Sequence, residues 1–81
     1  MRSNENLLVE IENAMEMVET FNLKEEGGEK ISLTEYAKWE QKLFELEAKA
    51  DEQNVDQDVV RHFEEMGCKK AYEKMFNENI I

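Results

Sequence analysis

The sequence predicts an all-α fold: a small helical bundle built on an antiparallel helical hairpin, followed by one or two C-terminal helices. Apolar residues recur at alternating spacings of three and four along most of the chain, which is the period of an amphipathic helix. No proline interrupts these segments, and the paired glycines Gly27 and Gly28 separate the first two. With 81 residues, the chain is predicted to form a single small acidic domain, 1–81.

The first helix is predicted over about residues 4–22. Ser3 or Asn4 supplies a plausible N-cap, and Asn22 is the predicted end. Its apolar seam, which spans about two heptads, consists of Leu7, Ile11, Ala14, Val18 and Phe21. Residues 23–31 contain the two glycines among glutamates. They are expected to form either a plain loop or a very short β-hairpin, and the loop is favoured.

The second helix is predicted over about residues 33–53. Ser32 and Glu35 have the spacing of a capping box, which marks its start. Its seam consists of Tyr36, Trp39, Leu43, Leu46 and Ala50, broadened by Ala37, Phe44 and Ala48. The polar face mixes lysines with glutamates, as is usual for a solvated helix. The short connection makes this helix an antiparallel neighbour of the first, and Tyr36, Trp39 and Phe44 are expected in the core.

The C-terminal region, about residues 57–78, is predicted to form one or two helices that pack across the hairpin. Asp56 is a candidate N-cap. Gly67 either ends a helix or lies inside a continuous one, and the pattern leaves both alternatives open. Because such a short chain supports only a small core, a homodimer is a reasonable second source of burial.

The charge of the chain restricts its partners. Twenty acidic and ten basic residues give a formal net charge of −10. This charge disfavours direct binding to nucleic acid and to anionic membrane surfaces. No apolar run is long enough to span a bilayer, and the N-terminus is too polar for a signal peptide. We therefore expect a cytoplasmic protein, either of a cell or of an infected host.

The sequence contains no recognisable catalytic or metal-binding motif. His62 and Cys68 are the only residues of their types, and a six-residue separation does not place them together on a helix. The acidic residues around Asp51–Asp58 lack the spacing and the central glycine of a calcium loop. We therefore expect no enzymatic activity, no metal site, no cofactor and no intramolecular disulfide.

The most distinctive feature is the first helix, because residues 3–23 contain five glutamates and no lysine or arginine. Four of the glutamates are predicted on one face opposite the apolar seam: Glu5, Glu12, Glu16 and Glu19. Acidic clusters are expected beside both ends of this helix: Glu25, Glu26 and Glu29 at one end, and Asp51, Glu52, Asp56 and Asp58 at the other. Together they predict an anionic edge about 30 Å long, with approximately the charge density of one DNA strand.

This edge suggests a non-enzymatic protein-binding module. The leading hypothesis is an inhibitor that presents a DNA-like surface to a basic protein, such as a DNA- or RNA-binding protein or a nuclease. Small acidic helical proteins of this kind recur among phage-encoded inhibitors. The alternatives are an adaptor for a basic partner and a structural or oligomerisation module whose acidic surface serves solubility only.

Overall fold

The computed structural model consists of three helices: α1 (Arg2–Glu26), α2 (Leu33–Glu52) and α3 (Gln57–Ile80). It describes the backbone of residues 2–80 and the side chains of residues 5–76. α1 packs against both other helices, whereas α2 and α3 contact each other little. The predicted all-α bundle is confirmed, with α1 at its centre. Within the described part of the chain, no helix has the length and apolar character needed to cross a membrane.

α1 is longer than predicted at both ends. It begins at Arg2, and the side chains of the predicted caps Ser3 and Asn4 lie outside the described residues. The prediction that Asn22 ends the helix is wrong, since α1 continues to Glu26. The residues predicted in the turn, Glu25 and Glu26, therefore belong to its last helical turn.

A Schellman motif at the two glycines ends α1. Gly28 has φ +88°, a left-handed conformation that glycine adopts without steric cost. The N–H of Glu29 donates to the carbonyl of Lys24 at 2.9 Å, and the N–H of Gly28 donates to that of Glu25 at 3.0 Å. The connection between α1 and α2 is a loop and contains no β-hairpin.

Asn22 takes part in the contact between α1 and α2 instead of ending α1. Phe21 packs against Tyr36 with ring centroids 6.1 Å apart. Burial and the neighbouring Glu40 carboxylate raise the pKa of Tyr36, while the nearby Asn22 side chain acts in the opposite direction. Residues 21 and 22 therefore belong to the side of α1 that faces α2.

α2 agrees closely with its predicted bounds. The Ser32 Oγ accepts a hydrogen bond from the Glu35 N–H at 3.3 Å, which confirms the predicted cap. At the other end, Asn54 has φ +59° and the N–H of Val55 donates to the carbonyl of Ala50 at 3.0 Å. This second Schellman motif uses asparagine as the left-handed residue, and it directs Val55 against the core.

α3 is one continuous helix, so Gly67 lies inside it. The predicted cap is confirmed, because the Asp56 Oδ1 accepts a hydrogen bond from the Asp58 N–H at 2.9 Å. Glycine within a helix costs about 0.5–1 kcal/mol relative to alanine. A packing contact described below accounts for its presence.

The core follows the predicted seams. Buried apolar side chains come from all three helices: Leu7, Leu8, Ile11, Ala14, Val18, Leu43, Leu46, Ala50, Val60 and Ala71. Phe21, Tyr36 and Trp39 are half-buried. The prediction that Phe44 belongs to the core is wrong, because its side chain is 60% exposed. It lies on a side of α2 that neither neighbouring helix covers.

Candidate protein-binding surface

The approach of α3 to α1 determines which glutamates of α1 reach solvent. At Gly67 the two helices lie so close that an added Cβ would stand 2.4 Å from the carbonyl oxygen of Glu12 and 2.9 Å from the Cβ of Met15. Such distances are far below van der Waals contact, so this approach requires glycine. It brings the lysines in the following turns of α3 within reach of α1.

Two glutamates of α1 form ion pairs with these lysines. Glu12 is only 7% exposed and pairs with Lys70. One turn further on, the Glu16 Oε2 lies 3.3 Å from the Lys74 Nζ. The hydrogen bond to the Glu12 carboxylate raises the pKa of Lys70. Because both pairs have the same separation in sequence, α1 and α3 run parallel at this contact.

Glu19 also faces α3. Burial and, to a lesser extent, the neighbouring Glu19 carboxylate raise the pKa of the Cys68 thiol to about 11. A thiol with this pKa stays protonated at neutral pH, which makes it a poor nucleophile.

The expectation that Glu12, Glu16 and Glu19 form an exposed face opposite the core is therefore wrong. That expectation assumed a single buried seam on α1. The helix has two packed neighbours, so its second packed side includes Leu8, Met15 and these glutamates. Lysines of α3, which are distant in sequence, neutralise two of the charges that looked unpaired.

The remaining predicted site residues are exposed and lie at the two ends of the bundle. Asn6 of α1 and Gln53 after α2 line the same cavity, which places the start of α1 beside the end of α2. We call the exposed carboxylates of this region the first acidic end: Glu5, Asp51, Glu52, Asp56 and Asp58. The second acidic end, around the α1–α2 loop, consists of Glu25, Glu26 and Glu29.

Lysines lie near both ends. Lys49 lines the same cavity as Asn6 and Gln53, and Lys24 and Lys30 flank the second acidic end in sequence. Among the described side chains, the only ion pair that involves either end joins Asp58 to Arg61 at 3.9 Å. Both partners are strongly exposed, so the pair contributes little to stability. The predicted continuous edge is thus divided into two separate clusters about 30 Å apart, the length of α1 between them.

Two carboxylates that the sequence analysis missed meet between α2 and α3. Burial and the neighbouring Glu47 carboxyl group raise the pKa of Glu64 to about 7. The Glu64 Oε2 is buried and has no hydrogen-bond partner. No local pattern reveals this pair, since Glu47 and Glu64 belong to different helices and their meeting depends on the turn at residues 53–56.

The described residues offer no evident metal centre. Within residues 5–76, no group of three or more histidine, cysteine, aspartate or glutamate side chains is placed to hold an ion. His62 is exposed, and its ring contacts that of Phe63 with centroids 6.0 Å apart.

Comparison of the chain with protein-family models, with curated proteins and with solved structures gave no match.

Proposed function

We propose that this protein is a non-enzymatic inhibitor that binds a basic, nucleic-acid-binding protein through its acidic ends. The observation that carries the proposal is the first acidic end, where five carboxylates are exposed and only Asp58 has a basic partner among the described residues. Clustered carboxylates of this kind attract and orient a positively charged surface.

The internal ion pairs strengthen this argument. Lys70 and Lys74 are directed to glutamates of α1, so these lysines do not offset the acidic ends. The two acidic ends lie about 30 Å apart, which is the length of about nine base pairs of DNA. They can therefore contact both ends of a DNA-binding groove on the partner protein. The proposed mechanism is competition, in which the carboxylates of the two acidic ends occupy phosphate-binding sites of the partner.

Displacement of DNA is the direct test. Nucleic-acid-binding proteins retained on heparin are passed over the immobilised protein at low salt, and each captured protein is then bound to labelled duplex DNA. The wild-type protein should release the DNA in a gel-shift titration. A variant with Asp51→Asn, Glu52→Gln and Asp58→Asn should release it much less effectively.

A matched control variant separates the effect of the first acidic end from the effect of net charge. Glu35→Gln, Glu45→Gln and Glu65→Gln remove the same amount of charge from exposed positions outside both acidic ends. The control variant should release DNA as the wild type does. If both triple variants lose activity equally, only net charge matters; if no captured protein releases its DNA, the proposed inhibition is wrong.

A second candidate function is a structural or oligomerisation module. It is favoured by large apolar side chains that are exposed on α2 and α3: Leu33, Phe44, Tyr72 and Phe76. Sedimentation equilibrium separates the two candidates, because apolar self-association depends on concentration and is insensitive to salt, whereas charge-driven binding weakens with salt.

A further inference from the structure

The contact between α2 and α3 is the weakest in the bundle. Both helices pack against α1, but they contact each other little. Near the turn that joins them, they border a single cavity of about 310 Å³, which is lined by Glu47 of α2 and by Gln57, Val60, Arg61 and Glu64 of α3. A carboxyl group from each helix therefore lies at the same cavity.

The position of Glu64 favours a neutral carboxyl group. Its Oε2 is buried and has no hydrogen-bond partner, and an ionised carboxylate is costly to bury without a donor. Glu47 adds repulsion when both groups are ionised, because two like charges at one cavity disfavour each other. These two effects, with burial the larger, raise the pKa of Glu64 to about 7. Glu64 therefore gains its charge close to neutral pH.

The charges around Glu64 offset its ionisation only weakly. Arg61 lines the same cavity and lowers the pKa of Glu64, but this effect is smaller than those of burial and Glu47. The Arg61 side chain is 71% exposed, and its guanidinium lies 3.9 Å from Asp58. Glu19 of α1, beside the Cys68 thiol one turn further along α3, is also negative. Among the described side chains, Arg61 is the one cation that acts on Glu64.

We propose that Glu47 and Glu64 form a pH-sensitive latch: α2 and α3 stay in contact while Glu64 is neutral, and they separate at this cavity when Glu64 releases its proton to solvent. Separation admits water to the Oε2 atom and moves the two carboxylates apart, which relieves both costs. The motion is confined to this contact, because the extensive packing of each helix against α1 is retained. The latch is closed below about pH 7 and open above it.

Val60 reports whether the latch opens. Its side chain lines the cavity and is only 5% exposed, so separation of the helices brings its methyl groups into solvent. Val18 of α1 is also 5% exposed but does not line the cavity. The two valines therefore form a matched pair within one molecule, one at the latch and one elsewhere in the core.

Methyl NMR of the wild-type chain with a neutral gadolinium chelate tests the latch, since the chelate relaxes only those methyl groups that it can approach. Between about pH 5.5 and about pH 8.5, the relaxation enhancement at Val60 should rise severalfold with a midpoint near 7, while that at Val18 stays low. An unchanged enhancement at Val60 would overturn the inference. An equal rise at both valines would also overturn it, because it indicates general loosening of the core.

Substitutions assign the transition to the carboxyl pair. Glu64→Gln, whose amide cannot ionise, should keep Val60 protected at both pH values. Glu47→Gln should move the midpoint to lower pH because the repelling carboxylate is removed, and it provides an independent test if Glu64→Gln does not fold. Glu45→Gln is the matched control, since Glu45 is exposed on α2 and does not line the cavity. A rise that persists unchanged in Glu64→Gln would refute the latch.

Proton cross-relaxation between α2 and α3 distinguishes the latch from a movement of the Glu64 side chain alone. Signals that connect protons of the two helices around the cavity should be present at about pH 5.5 and should weaken strongly above about pH 7. If these signals persist while the Glu64 carboxyl carbon titrates, only the side chain turns outward, the helices stay together, and the inference is wrong.

Discussion

Replacing Gly67 with alanine tests how closely α3 is held against α1. The added methyl carbon would lie 2.4 Å from the carbonyl oxygen of Glu12, 2.9 Å from the Cβ of Met15 and 3.1 Å from the amide nitrogen of Glu16. Ordinary contact begins at 3.4 Å, so the first distance is 1.0 Å too short. Two of the three atoms belong to the backbone and cannot rotate away. α3 must therefore shift outward, which loosens the surrounding core.

The magnitude follows from two opposing effects. Alanine in place of glycine inside a helix contributes about 1 kcal/mol of stability. Overpacking in a core costs about 1–3 kcal/mol, and the upper part of this range applies here because backbone atoms are involved. We expect Gly67→Ala to lower the free energy of unfolding by about 2 kcal/mol. For a domain of this size, that corresponds to a decrease in Tm of roughly 8–16 °C.

Urea unfolding followed by far-UV circular dichroism measures the change. Gly27→Ala is the control, because a Cβ at Gly27 would meet only the carbonyl oxygens of Leu23 and Lys24, both at 3.5 Å. That variant should keep or slightly increase the stability of the wild type. The reasoning is refuted if Gly67→Ala unfolds at the same urea concentration as the wild type or at a higher one.

Three further measurements examine other contacts. Glu12→Gln should lower the free energy of unfolding relative to Glu10→Gln, since Glu12 is buried against Lys70 whereas Glu10 is exposed; equal stabilities would contradict the internal ion pair. The raised pKa of Glu64 means that the folded state binds this proton more tightly than the unfolded state does. The free energy of unfolding should therefore fall as pH rises from 4.5 to about 7. Because solvent screens the partly exposed group, the expected fall is about 1 kcal/mol. Urea midpoints across this range should show a smaller fall in Glu64→Gln, and an unchanged fall would contradict the carboxyl pair. Gly28→Ala should cost about 1–2 kcal/mol, because its φ of +88° strains any other residue, and a stable variant would refute the role of the Schellman motif.

Local sequence patterns predicted the helices well. The seam from Leu7 to Val18 and the capping box at Ser32 depend on neighbours within a few residues, so their physical causes are visible in the sequence. The end of α1 differs from the prediction because asparagine also occurs inside helices, whereas the glycine pair ends this one. Gly28 supplies the left-handed residue that a Schellman motif needs, and this signal was present in the sequence.

The arrangement of the acidic residues was less predictable. The periodicity of α1 placed Glu12 and Glu16 on one face, but it contained no information about Lys70 and Lys74. Their pairing depends on the close approach at Gly67, whose role a single sequence left open. The charges at the chain turns stayed exposed as expected, because loops and helix ends rarely become buried.

The central claim is that the partner binds the exposed acidic ends and does not bind the glutamates packed against α3. The salt dependence of partner binding is its most direct test. The affinity for a captured DNA-binding protein is measured by titration calorimetry at several salt concentrations for the wild type and two variants. One variant neutralises the first acidic end with Asp51→Asn, Glu52→Gln and Asp58→Asn, and the other carries Glu12→Gln and Glu16→Gln. We predict weaker binding and a shallower salt dependence for the first variant, and a wild-type salt dependence for the second. A shallower dependence in the second variant, with none in the first, would contradict the assignment.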